Sequence, residues 1–210
     1  MINKCQIFTH TSILSQLFRG ALKVCIFLAV FILLSACSPT LNWRTVQSPE
    51  QGYNALFPGK PDKLERRIPY QDQEFLQTLE AVKVEDDIYS ISAIQLTNAQ
   101  VVLAPKLISQ LQSNVVDRAK ASGGSVTIED SFYQTADHHR LPSKDYFIAF
   151  KSNEKFQQVM RVRWITRSMG NGSLWIYQIS VLHAGSNVDN AKVFLSQEAY
   201  ANFFSEFYPE

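Results

Sequence analysis

Cysteine is scarce in this chain and confined to one end: Cys5, Cys25 and Cys37, with none downstream. A disulfide scaffold is therefore excluded for everything after Cys37, as is a thiolate metal site. Histidine is scarce too, at four residues, so imidazole chemistry has few places to occur. No excess of one charge exists: 20 Lys and Arg face 19 Asp and Glu. All the acids lie beyond residue 36, which leaves residues 37–210 with a formal charge of −2. That balance argues against a nucleic-acid partner. Long apolar runs are also missing. The longest uncharged one, Val24 to Leu34, has 11 residues, against the about 17–25 that a membrane-spanning helix needs.

What is present begins with that short run. Lys4, Arg19 and Lys23 precede it without any acid, and Ser35-Ala36-Cys37 follows it. A cationic segment, an apolar segment and small residues before a cut make an export signal. Leu34-Ser35-Ala36-Cys37 resembles the lipobox of bacterial lipoproteins. The resemblance implies a diacylglycerol on Cys37, cleavage before it and acylation of the new amino group. An uncleaved anchor, with Cys37 near the outer interface, is the alternative that the long cationic segment keeps open. The lipoprotein reading divides the chain into a signal peptide, 1–36, a lipidated tether, 37–42, and one domain, 43–210. Ser38 stands where many Gram-negative lipoproteins retained at the inner membrane carry Asp. The periplasmic face of the outer membrane is therefore the expected location in a Gram-negative host. With Cys37 lipidated, no thiol remains to hold the exported domain. The 174 residues from Cys37 onward must do so through a hydrophobic core.

Strands dominate the domain's pattern. Trp43–Val46, Tyr53–Phe57, Leu64–Ile68, Phe75–Val84 and Ile88–Leu96 read as strands, with a turn at Asp86-Asp87. Both alternating sets of the last stretch are rich enough in apolar residues for cover on both faces. Pro105 opens a helix whose stripe is Leu107, Ile108, Leu111, Val115 and Ala119, ended by Gly123-Gly124. Ser125–Tyr133 and Tyr146–Phe150 follow as strands, with a polar loop at Asp137–Asp145 and a turn at Lys151–Lys155. Gln158–Arg167 and Ser173–His183 form the strongest strand pair. Trp175, Tyr177, Ile179 and Val181 are predicted to pack with Met160, Val162 and Trp164 in one core. Ser196 is placed to cap a final helix with the stripe Tyr200, Phe203, Phe204 and Phe207, and Pro209 falls beyond its end.

This order predicts an α+β fold: an antiparallel sheet packed against a central helix and a C-terminal helix. Over about residues 43–208 it resembles the PsbP-like fold. The resemblance rests on Phe57-Pro58-Gly59-Lys60-Pro61, the central helix, Leu174-Trp175-Ile176-Tyr177 and Ala201-Asn202-Phe203-Phe204-Ser205-Glu206-Phe207. Members of that fold are usually non-enzymatic and bind other proteins, so the resemblance implies no catalytic residues and no cofactor.

Site chemistry is thin. Asp137-His138-His139 is the densest set of metal-type ligands, yet it matches no zinc spacing, and a metal is not expected. No nucleophile elbow precedes a histidine, so an enzyme is not expected either. Arg161, Arg163 and Arg167 share one strand face opposite Trp164. They are the first candidate for a surface that meets anionic groups. On that reading, replacing all three by Gln leaves the fold intact. The turn containing Phe57, Pro58 and Gly59 is the second candidate, as an exposed recognition loop. Two functions remain. One is a membrane-tethered module that binds or assembles an envelope protein. The other is a carrier or sensor of a small apolar or anionic ligand. A filled core with a surface patch around the arginines favours the first, and a large open pocket lined by aromatics the second. The lipobox makes the sharpest prediction: labelled palmitate enters the wild-type chain and not Cys37→Ala. Equal label in both would rule lipidation out.

Overall fold

A computed structural model describes residues 41–152, 156–185 and 188–210. The lipobox, the signal segment and most of the tether lie outside the described residues, as does most of the turn at Lys151–Lys155. Among the described residues no helix is long and apolar enough to cross a membrane. The fold is α+β, with antiparallel sheets packed against helices, as the pattern predicts.

Among the described residues ten strands make two sheets. Strands β1 (Arg44–Ser48), β2 (Tyr53–Phe57) and β10 (Phe207–Pro209) form the smaller one, with β2 in the middle. The larger is built from β3 (Asp62–Tyr70), β4 (Gln73–Val84), β5 (Asp87–Leu96), β6 (Ser125–Gln134), β7 (Arg140–Ser152), β8 (Phe156–Ser168) and β9 (Leu174–His183). Their spatial order is β3-β4-β5-β9-β8-β7-β6. After β5 the chain leaves the sheet through a 3-10 turn, Asn98–Leu103, and helix α1, Ala104–Ala121. It re-enters at the far edge as β6 and returns strand by strand to pair β9 with β5. Gly123 takes the positive φ of +71° that ends α1. Gly124 lies so close to β7 that a Cβ there would fall 1.9 Å from the Ala149 carbonyl oxygen.

The hairpin turn before β5 falls one residue earlier than predicted, at Glu85-Asp86. Glu85 adopts a φ of +53°, and Asp87 already pairs with Val84. The polar loop predicted for Asp137–Asp145 is shorter still. β7 begins at Arg140, carries Pro142 opposite Phe132, and buries Asp145 at 3 % exposure.

Cover on both faces is what this sheet achieves. On one face α1 lays Ala104, Leu107 and Ala119 over Phe75, Ile94, Leu96 and Ile176, then over Ile148, Met160, Val162 and Trp164. On the other, the small sheet and the C-terminal segment cover Tyr89, Ile91, Phe147, Ile165, Tyr177, Ile179 and Val181. Met160, Val162 and Trp164 therefore do not share a core with Trp175, Tyr177, Ile179 and Val181. The register pairs Arg161 with Val181, Arg163 with Ile179 and Ile165 with Tyr177. Residues directly opposite in an antiparallel pair point to the same side. It is the arginine face that joins the aromatic core.

The C-terminal segment is also more divided than one helix. Helix α2, Ala191–Leu195, is capped by the Asn190 side chain, which accepts from the Val193 N–H at 3.0 Å. Ser196 closes this helix and does not cap the next, α3, Glu198–Ser205, whose N-cap is Gln197. Phe207 and Pro209 belong to β10, opposite Ala55 and Tyr53. Proline is tolerated there because β10 is an edge strand. Phe203 packs edge-on to Phe57 at 5.2 Å and to Tyr89 at 5.3 Å, and both it and Phe204 are buried. Truncation of a buried Phe costs about 3–5 kcal/mol. Phe203→Ala and Phe204→Ala should each lower stability by about that much in denaturant titrations. A change within about 0.5 kcal/mol, the range of ordinary surface substitutions, would contradict this packing.

Candidate functional site

Alternation along β8 turns Arg161 and Arg163 toward the C-terminal helices, and β7 brings Asp145 directly opposite Arg163. The Arg163 guanidinium grips this carboxylate with two nitrogens, Nε at 2.6 Å from Oδ1 and Nη2 at 2.9 Å from Oδ2. Arg161 donates to the same Oδ2 from Nη2 at 2.6 Å and from Nε at 3.2 Å. Their remaining donors reach the ends of two helices. Arg161 Nη1 donates to the Leu195 carbonyl, the last residue of α2, and Arg163 Nη1 to the Phe204 carbonyl near the end of α3, both at 3.2 Å. Arg163 Nη2 also donates to Ser131 Oγ at 2.7 Å. The Phe204 ring lies 4.1 Å from the Arg161 guanidinium carbon.

One carboxylate cannot neutralise two guanidiniums. The balance comes from helix C-terminal carbonyls, which carry partial negative charge and lack intrahelical donors. Burial pushes the Asp145 carboxyl up, but the hydrogen bonds and charges of Arg163 and Arg161 together outweigh it and hold the group below its ordinary value. The two arginines are 8 % and 3 % exposed. The predicted cationic surface is thus corrected: Arg161 and Arg163 are interior clamps on α2 and α3. Arg167 alone of the three is partly exposed, and its Nε donates to the Glu210 carbonyl at 2.9 Å. The second predicted surface is corrected as well. Phe57 and Pro58 are buried, Gly59 is half-buried, and the turn packs inward against Phe203 and Val82.

Two further buried polar clusters had no signal in the sequence, because register alone assembles them. Glu80 of β4 accepts from Ser48 Oγ at 2.8 Å and Tyr53 Oη at 2.6 Å, which fastens the small sheet to the large one. Burial and this carboxylate push the Tyr53 hydroxyl up, so it stays a donor. At the start of β5, Asp87 holds His183 Nδ1 at 2.7 Å and accepts from Tyr200 Oη at 3.1 Å. A carboxylate that accepts a hydrogen bond from Nδ1–H leaves Nε2 as the candidate base. Here the backbone of Gly185 lies against that nitrogen: a Cβ on Gly185 would fall 2.3 Å from it. Phe194 covers the ring at 4.5 Å. The arrangement suits a latch between β5, β9 and α3 better than proton transfer to a bound molecule.

Asp137 and His139 pair at 2.9 Å on an exposed turn in which His138 has a φ of +64°. His183 lies at the opposite end of the sheet, in the row of Val159, Ala149 and Ser125. No group of three metal-type side chains that could hold an ion occurs among the described residues.

Two edges of the large sheet remain open to solvent, β3 and β6. β6 ends the large sheet, and its outer backbone has no partner among the described residues. Two shallow hollows flank its second half. One of about 290 Å³ is lined by Gln112, Asp130, Pro142, Lys144, Tyr146 and Trp164. The other, about 440 Å³, lies along Asp130–Gln134, with Arg140 and Ser205. The exposed Phe132 ring stands beside Arg140, whose guanidinium lies 4.2 Å from its centroid.

No protein-family model matches the chain, and a search of curated proteins finds no similar sequence.

The clamp makes a quantitative prediction. Removing one partner of a buried ion pair costs about 3–5 kcal/mol, because the other charge stays behind without compensation. Asp145→Asn should lose that much in urea titrations at neutral pH, and Arg161→Gln with Arg163→Gln should not leave the fold intact. The wild-type contribution of Asp145 is present above its unfolded-state pKa of about 3.9. It is lost as pH falls through the lower folded-state value. The acid limb of the stability curve should therefore flatten in Asp145→Asn. An unchanged limb would mean that other carboxylates set acid stability.

Proposed function

We propose that the chain is a bacterial lipoprotein anchored through Cys37, whose domain acts by binding or assembling an envelope protein and not by chemistry. The lipobox at the end of a short apolar run supports the anchor. The PsbP-like resemblance belongs to the same reading. An antiparallel sheet with one long crossing helix and a C-terminal helical segment accords with it, and proteins of that fold usually act by binding. The periplasmic face of the outer membrane is the proposed site, on the strength of Ser38.

One observation carries the binding half. The chemically capable side chains are engaged inside the fold. Asp145, Arg161, Arg163, Glu80, Asp87 and His183 each have partners in the interior or at its margin. Among the described residues, only Ser143 Oγ is a buried side-chain polar atom without one. Rings at 5–6 Å fill the space between the sheet and the C-terminal segment, from Tyr53 and Tyr177 to Phe203 and Phe207. A carrier would show a large open pocket lined by aromatics, and in the lining of both hollows beside β6 polar residues outnumber aromatic ones.

A tether raises the effective concentration of a partner in the same compartment, so modest contacts suffice. Crosslinking in intact envelopes, followed by identification of the trapped protein, tests this. Wild type should give a defined crosslinked species that is lost or greatly reduced in folded Cys37→Ala. A species of equal intensity in both would remove the anchor from the account. Failure to trap any protein, together with a small molecule recovered from the purified domain, would favour the carrier.

A further inference from the structure

β9 is the middle strand of the large sheet and β8 is its neighbour, and the turn Met169-Gly170-Asn171-Gly172-Ser173 joins them. Asn171-Gly172 is the only Asn-Gly pair in the sequence. Such a pair is chemically labile in an unfolded chain. The glycine nitrogen sits next to the asparagine amide carbon, and no Cβ shields it. Both residues are exposed here. The turn cannot dispense with either of them. Gly172 has a φ of +82°, and a Cβ there would meet the Asn98 side chain at 3.1 Å. Asn171 Oδ1 accepts from the Ser173 N–H at 3.0 Å and from Ser173 Oγ at 2.6 Å, which satisfies a buried serine. The hairpin therefore imposes a reactive dipeptide on the chain.

The same hairpin engages both reacting groups. The Gly172 N–H donates to the Met169 carbonyl at 2.9 Å, and the Met169 N–H donates to the Ser173 carbonyl at 2.8 Å. The two donors of Ser173 hold the Asn171 side chain forward by its oxygen. For the reaction to run, the Gly172 nitrogen gives its proton to solvent hydroxide and attacks Asn171 Cγ. The new N–Cγ bond displaces Nδ2, which leaves as ammonia with a proton from water. Water then opens the resulting five-membered imide at either carbonyl, which leaves aspartate or isoaspartate at position 171. The first step removes the very hydrogen that the Met169 carbonyl accepts. The turn must open before the ring can close.

We propose that Asn171 is a modification site gated by unfolding: the native hairpin protects it, and opening of the β8–β9 turn releases it to deamidate. The inference goes beyond the function proposed above and holds whether or not Cys37 carries lipid. Local opening of this kind is a property of hairpin ends in general. Its product bears on the fold. Isoaspartate routes the backbone through the side chain and adds one backbone atom to the turn. Ser168 pairs with Leu174 immediately beyond that turn, and the same register sets Arg161 opposite Val181 and Arg163 opposite Ile179. A sheet covered on both faces tolerates no shift in that register. A chain that has once unfolded and reacted therefore returns to a less stable state.

Incubation of the full chain in detergent at mildly alkaline pH, folded and in urea, tests the gate. The readouts are released ammonia and the mass of the peptide that contains Asn171, with its aspartyl and isoaspartyl forms separated by chromatography. The folded chain should convert about tenfold more slowly than the chain in urea, the factor that one backbone hydrogen bond can supply. Asn171→Gln should stay unconverted in both over the same period. Ser173→Ala removes one donor to Oδ1. With its circular dichroism unchanged, it should convert several-fold faster than wild type when folded and at the wild-type rate in urea. Isoaspartyl chains returned from urea should melt below unreacted ones. Equal rates in folded and unfolded wild type overturn the proposal, as does a chain that fails to convert in urea. A folded Ser173→Ala slower than wild type would mean that the Ser173 donors polarise the reacting carbonyl and that the turn promotes the reaction, which also overturns it. An unaltered melt of the isoaspartyl chain would overturn the consequence for register.

Discussion

The carboxylate of Asp145 organises more of this molecule than its size suggests. It is held by two guanidiniums from the neighbouring strand, and those guanidiniums reach past it to the carbonyl ends of α2 and α3. Desolvating two arginines and an aspartate is costly unless every donor finds an acceptor in good geometry. The sheet supplies the carboxylate and the Ser131 hydroxyl, and the ends of two short helices supply two carbonyls. The helices therefore cannot shift along the sheet without stranding a charge. Apolar packing would tolerate such sliding, because it is non-directional. The aromatic core gives the C-terminal segment its affinity for the sheet, and the ionic cluster gives it its place.

Much of the fold was legible in the sequence, and the reasons are local. The apolar stripe of α1, the glycine pair that ends it and the strand runs follow from periodicity and turn chemistry. What could not be read was facing. β8 alternates Met160, Val162 and Trp164 with Arg161, Arg163 and Ile165, and in a sheet with one solvated face the arginines would turn outward. This sheet is covered on both faces, so alternation chooses between two interiors and not between inside and outside. The matching anion for the arginines was Asp145, which sits in a stretch that reads as a polar loop because of Pro142. Only the pairing of β7 with β8 brings it there.

The polar clusters were illegible for the same reason. Asp87 and His183 are 96 residues apart, and Ser48 and Glu80 are 32 apart. No spacing rule spans such distances, whereas strand register does so at once. A useful hint was present in hindsight: ionisable residues that interrupt strongly apolar strands, such as Glu80 in β4, need interior partners.

The small sheet has a consequence for how the chain reaches this state. Its middle strand, β2, waits for β10, which lies far along the chain: Phe207 pairs with Ala55, and the Glu210 N–H donates to the Gly52 carbonyl at 2.9 Å. A ribosome supplies these residues long after those of β2. Until they are free, Tyr53 and Tyr177 lack the ring of Phe207 that packs on both. Contacts so distant along the chain are slow to form, since the loop between them must be closed first. The small sheet is thus prevented from locking early, and its three-stranded closure waits for the residues of β10. Anything fused directly behind Glu210 would begin against Gly52, at a finished seam and not at a loose tail.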